Sequence, residues 1–164
     1  MTELYKAFEG HPDYKCFGCS PNNPIGLNIS FFEEDEFVIG KWKVDPNFQG
    51  FINLLHGGIQ TTLLDEVASW CVHIKLGSAG VTQSLTVNFH HKVFTTQEFI
   101  HIKAKVVSQE KNIAKIEAQL FNSDHELCST GYFDFFVFPE RIAKAKFSYP
   151  GKEAYYKPSQ YLTK

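Results

Sequence analysis

His56, Gly57 and Gly58, followed by Asp65, are the most chemically suggestive group in this chain of 164 residues. They open an apolar periodic segment, which puts a histidine and two glycines at the mouth of a helix. Backbone N–H groups there have no intrahelical acceptor, and the helix dipole is positive. A glycine at that point lets a substrate carbonyl come close to the backbone, as an oxyanion site requires. The alternative is a helix start that needs glycine only for steric reasons. Asp65 lies two turns further on, among Leu63, Leu64, Val67 and Ala68. A carboxylate is costly to bury there unless it is paired or used, which makes Asp65 a candidate base or nucleophile. The alternative is a buried carboxylate satisfied by neighbouring hydroxyls. Glu66 points about 100° away around the helix and is expected to reach solvent.

Geometry adds a demand. Gly57 and Asp65 are eight residues apart, about 12 Å along a helix axis. An N–H that polarises a carbonyl and a carboxylate that attacks it, or activates water beside it, must both lie about 3 Å from the reacting group. One helix can hardly present both. Two copies packed antiparallel about a two-fold axis would bring the start of one helix opposite the second turn of the other. If these residues are catalytic, the spacing predicts a dimer with shared sites.

The elements that must position this group follow from periodicity. Ile59, Leu63, Leu64, Val67, Trp70, Cys71 and Ile74 recur at spacings of three and four, which predicts one mostly enclosed helix over 57–76, with Gly77 as its stop. Before it, β-like runs at 28–32 and 37–44 flank Glu33-Glu34-Asp35 and read as a hairpin. After it come strand patterns at 82–90, 98–108, 113–122 and 127–138, with turns at 109–112 and 122–125. Ile100, Ile102, Ala104 and Val106 alternate with His101, Lys103 and Lys105, so one face is buried and the other wet. Strands on both sides of a single apolar helix imply an α+β fold, an antiparallel sheet curled around that helix.

Composition sets the outer bounds. The chain is 43% hydrophobic and 21% charged, within the range of a globular domain and outside that of a disordered or collagen-like chain. Sixteen Phe against one Met suggest a core or pocket filled by rigid rings. A net charge of −2 gives no reason to expect a nucleic-acid or anionic-membrane partner. The tail from Pro139 is different: Arg141, Lys144, Lys146, Lys152, Lys157 and Lys164 stand against Glu140 and Glu153, so it carries +4 and the rest −6. Such a tail suits a polyanion, or is simply a solvated, loosely packed extension. No run of about 18 apolar residues is present to span a membrane as a helix. Met1 to Lys6 contains no apolar stretch after a basic start, and four cysteines in this context do not make a disulfide framework, so a reducing cytoplasm is the expected location. Cys16 and Cys19 form a CxxC, but a zinc site needs two further ligands; with Gly18 between them and Pro21, Asn22, Asn23, Pro24 and Gly26 beyond, a structural turn is expected and no metal.

The spacing of His56-Gly57-Gly58 and Asp65, with Gly80-Val81-Thr82 opening the next strand, resembles the hotdog-fold acyl-CoA thioesterases of the PaaI-like branch. Cys16-Phe17-Gly18-Cys19, Asn23-Pro24-Ile25-Gly26-Leu27 and Phe48-Gln49-Gly50 look like a subgroup of that family. The resemblance covers roughly residues 16–138. It implies a hotdog domain over 1–138 that includes the CxxC loop, followed by a basic aromatic extension over 139–164. It also implies a homodimer, often paired into a tetramer, that hydrolyses an acyl-CoA or similar thioester without a cofactor. Carried over by position, Gly57 would offer its N–H to the thioester oxygen and His56 would shape the turn that holds it. Asp65 of the partner subunit would act as general base or as nucleophile. Gly58 and Thr82 would assist at the substrate, and Gln49 stands one position from Gly50, where some relatives carry Asn or Gln. Lys92, beside His91, would meet the CoA phosphates.

Two other readings compete. A non-catalytic acyl-CoA or ligand-binding module would keep the glycines without needing Asp65. A hotdog dehydratase or hydratase needs an acid and a base flanking a carbon chain, and no second partner stands near Asp65 in the sequence.

Overall fold

The computed structural model describes residues 1–9 and 11–158; Lys164, counted above with the basic tail, lies outside the described residues. In chain order the elements are β1 (Thr2–Leu4), β2 (Ser30–Glu34), β3 (Phe37–Lys43), α1 (Gly57–Lys75), β4 (Gly80–Phe89), β5 (Phe99–Glu110), β6 (Ile113–Phe121), β7 (Leu127–Val137) and α2 (Glu140–Phe147). The strands form one seven-stranded sheet in the order β1-β2-β3-β5-β6-β7-β4, every neighbouring pair antiparallel. This is the expected α+β arrangement, with α1 as the central helix.

Helix α1 starts where His56 holds an extended backbone and its Nδ1 accepts from the Gly58 N–H at 2.9 Å. It ends before Gly77, which takes the left-handed conformation at φ +64° that a terminating residue needs. Between these caps Leu63, Leu64, Val67, Ala68, Cys71, Val72 and Ile74 are completely buried. The sheet supplies the opposing surface through Ile100, Ile102 and Ala104 on β5, Ile116 and Leu120 on β6, and Phe133 and Phe135 on β7. These inward side chains follow the alternation expected of half-buried strands. The register shifts between Val106 and Ser108, and the extra residue, Val107, turns outward. The β5–β6 turn is tighter than the expected 109–112: it comprises Lys111 and Asn112, with Lys111 at φ +53°.

Three features depart from the sequence reading. Strand β1 is too short to produce a periodic pattern and pairs with β2. Glu66 is only partly exposed, because the Cys16–Cys19 loop covers much of it: a Cβ added at Gly18 would stand 2.5 Å from its carboxyl carbon. The described part of the tail, 139–158, is not loosely packed. Ala143 within α2, and Tyr149 and Tyr155 after it, are all buried. Tyr155 meets the Trp70 ring edge-on at 5.3 Å and stacks on His73 at 5.7 Å, Tyr149 Oη donates to the His73 carbonyl at 2.8 Å, and the Tyr5 N–H donates to the Tyr155 carbonyl at 2.7 Å. Aromatic burial against the C-terminal half of α1 therefore outweighs the solvation of the lysines, of which Lys144, Lys146 and Lys157 remain exposed. No helix among the described residues is long and apolar enough to cross a membrane.

If the tail is part of the core, Tyr155→Ala should lower unfolding free energy by about 3 kcal/mol, as other large buried aromatics do. Urea titration followed by tryptophan fluorescence measures this; a loss below about 0.5 kcal/mol, typical of surface substitutions, would contradict the packing.

Candidate active site

The mouth of α1 opens on a cavity of about 660 Å³. His56, Gly57 and Gln60 of the first turn line one side, with Phe89, His90, His91, Lys92 and Val93 at the end of β4 and beyond, and Gly50, Phe51, Leu54 and Leu55 from the preceding loop. The two glycines are not equivalent. The Gly58 N–H is taken by His56 Nδ1, whereas the Gly57 N–H has no acceptor among the described residues. Gly57 thus presents the free donor at the positive end of the helix, and the His56 ring secures the turn that aims it. Beside them, a Cβ added at Gly57 would stand 3.4 Å from the Phe89 ring.

Lys92 is exposed at the rim. His91 Nδ1 lies 2.9 Å from the Leu127 carbonyl, and His90 Nε2 lies 3.1 Å from Thr130 Oγ1. Gln49 does not line the cavity: its Oε1 accepts from the Asn53 N–H at 2.9 Å and closes the loop that carries Phe51. Gln60, missed in the sequence, does. It is buried, its Nε2 makes only a long 3.5 Å bond to the Leu55 carbonyl, and its Oε1 has no partner among the described residues. The available signal was a polar side chain three positions after Gly57, on the same face of an otherwise apolar helix.

Asp65 is not among the residues lining the cavity. It is partly buried against the start of β4, where Thr82 Oγ1 donates to its Oδ1 at 2.7 Å. Burial holds its carboxyl above the ordinary aspartate value, and the Thr82 hydrogen bond opposes that shift. A register shift between Thr82 and Ser84 accommodates Gln83 as an extra residue. Thr82 therefore faces α1 together with Leu85, Val87 and Phe89, which an unbroken strand would not allow. The two ends of β4 mark the two predicted groups: Thr82 sits at Asp65 and Phe89 at Gly57.

Residues 52–129 match the thioesterase superfamily. Among solved structures, a thioesterase superfamily protein aligns with a TM-score of 0.68 at 21% identity, covering 75% of this chain, which spans only 60% of that protein's length. A hypothetical thioesterase from Streptococcus pneumoniae, determined with coenzyme A, aligns at 0.63 with 23% identity over 69% of this chain and 88% of its own. The E. coli PaaI protein from the phenylacetic acid degradation operon aligns at 0.62 with 19% identity over 70% and 82%. A comparison with curated proteins finds no match. Family match and fold agree: residues 52–129 match the thioesterase superfamily, and the chain has the hotdog fold of these solved thioesterases.

The Thr82 hydrogen bond favours the ionised form of Asp65, so Thr82→Val should raise the Asp65 carboxyl pKa further. Carboxyl ¹³C chemical shifts followed through a pH titration report this directly. An unchanged midpoint would mean that the contact does not hold the carboxylate.

Proposed function

We propose that the chain hydrolyses an acyl-CoA or similar thioester to a carboxylic acid and free CoA, at sites shared between two subunits. The superfamily match supports thioester hydrolysis, and the similar S. pneumoniae thioesterase determined with coenzyme A supports a CoA substrate. The observation that carries the reading is the Gly57 N–H, without an acceptor at the positive end of α1 and facing a cavity large enough for an acyl chain. The thioester oxygen accepts from this N–H, and the negative charge that develops on it in the tetrahedral intermediate is stabilised there. Lys92 at the rim meets the CoA phosphates, and Gln60 supplies a polar contact inside the cavity.

The carboxylate comes from the second subunit. Asp65 of the partner subunit either takes a proton from the water that attacks the carbonyl or attacks it directly to give a mixed anhydride that water then opens. In both routes the C–S bond breaks and CoA leaves as its thiolate. Thr82 is a positioning residue: it holds Asp65 and acts through it. The sheet edge supports such pairing. β4 is a terminal strand, and Leu85 and Phe89 on its helix-facing side are exposed, an arrangement that isolated proteins generally avoid. A second β4 laid antiparallel would set the Thr82 end of one strand toward the Phe89 end of the other, and so bring Asp65 toward the neighbouring Gly57. A binding module without catalysis is the second reading, favoured by the lack of a carboxylate on the cavity of a single chain.

Thiol release from a panel of acyl-CoAs separates the two. Asp65→Asn should lower kcat by roughly 10²- to 10⁴-fold. Gly57→Pro removes the donor and puts a ring where the carbonyl would approach, while proline suits the first helical position and His56 already has the extended backbone that must precede it; its expected loss is at least about 10²- to 10³-fold with helicity unchanged. Saturable CoA binding with no turnover across the panel, or full activity in a folded Gly57→Pro, would contradict hydrolysis at this site.

A further inference from the structure

The Cys16–Cys19 loop and Glu66 form a second cluster, separate from the cavity at the mouth of α1. Cys16 Sγ lies 3.5 Å and 3.7 Å from the two carboxylate oxygens of Glu66. Both sulfurs and a carboxylate oxygen lie within 4.8 Å of one another. A tetrahedral zinc with Zn–S near 2.3 Å and Zn–O near 2.0 Å would place sulfur and oxygen about 3.5 Å apart and the two sulfurs about 3.8 Å apart. The contacts already present are on that scale.

The surroundings are built for anionic sulfur. Tyr14 Oη lies 2.8 Å from Cys19 Sγ, where it would donate to a thiolate. Gly18 leaves room for the Glu66 carboxyl, which a side chain at that position would strike. Lys6, anchored by Asn28 Oδ1, supplies a positive charge close to both cysteines and to Glu66. Two thiolates and a carboxylate carry −3, a divalent cation and Lys6 carry +3, and the desolvated cluster becomes neutral. A Cys16–Cys19 disulfide would leave the half-buried carboxylate with no such partner. A cavity of about 180 Å³ beside the cluster, reached by Tyr14, Ser69 and His73, has room for a water as a fourth ligand.

We propose that Cys16, Cys19 and Glu66 bind a divalent transition metal, zinc by preference, and so tie the N-terminal loop to the middle of α1. The reading stands independently of the thioesterase assignment.

The test uses the reduced full-length protein titrated with Co²⁺ and then displaced with Zn²⁺. The expected result is one metal per chain, visible bands of tetrahedral cobalt, a near-ultraviolet thiolate-to-cobalt band, and a higher melting temperature with zinc. Cys16→Ser and Cys19→Ser should each remove or sharply reduce the thiolate band. Glu66→Gln, close to isosteric, should keep the fold and weaken binding by at least the roughly 10- to 100-fold that loss of an outer-shell partner costs. Asp65→Asn should bind as the wild type does. No thiolate band in the reduced wild type, or one that persists unchanged in Cys16→Ser, would overturn the site. So would wild-type affinity in Glu66→Gln, which remains decisive if a cysteine variant fails to fold.

Discussion

Enclosure of α1 is the constraint from which the other features follow. Seven of its apolar side chains have no exposure at all, so polar groups along the helix cannot rely on water and must each find a partner or a use. Asp65 takes the Thr82 hydroxyl, Glu66 lies beneath the cysteine loop, and His73 is covered by the tyrosines of the tail. Only at the N-terminus does an amide remain open, and there the backbone faces a cavity. The proposed chemistry therefore falls at the end of the helix and at the one strand that does not fully cover it.

That strand is β4. At the sheet edge, with a bulge after Thr82, it holds Asp65 at one end and stands beside Gly57 at the other. A single chain keeps donor and carboxylate apart by about two helical turns. In the proposed twofold pairing that separation would become proximity, because an antiparallel neighbour exchanges the ends. The same apolar strip that leaves Leu85 and Phe89 exposed in one subunit would then be covered.

The fold was legible where burial imposes a period. The spacing of Ile59 through Ile74 marks α1, and the alternation of Ile100, Ile102 and Ala104 marks β5, because each pattern records which side faces the core. The resemblance to thioesterases rested on the spacing from His56 to Asp65, which lies inside the stretch that matches that superfamily. What stayed hidden depends on contacts distant in sequence. Glu66 lies 50 positions from Cys16, and nothing in a helical wheel shows that a loop will fold over its exposed quadrant. The tail's lysines outnumber its buried aromatics, so composition suggested solvation, while Tyr149 and Tyr155 decide the packing. Gln60 resembled one more turn of helix, although its position relative to Gly57 puts it on the cavity. The bulge at Gln83 has no sequence signature, yet it sets which residues of β4 face Asp65.

The sharing of one site between two subunits is tested most directly by mixing. Gly57→Pro and Asp65→Asn subunits, each inactive alone, are combined under conditions in which subunit exchange is verified by mass spectrometry of differently tagged chains. In the heterodimer one of the two sites has both its wild-type donor and its wild-type carboxylate, so activity should return to about half the wild-type value per dimer. Verified exchange with no recovery of thiol release would show that donor and carboxylate do not act across the interface.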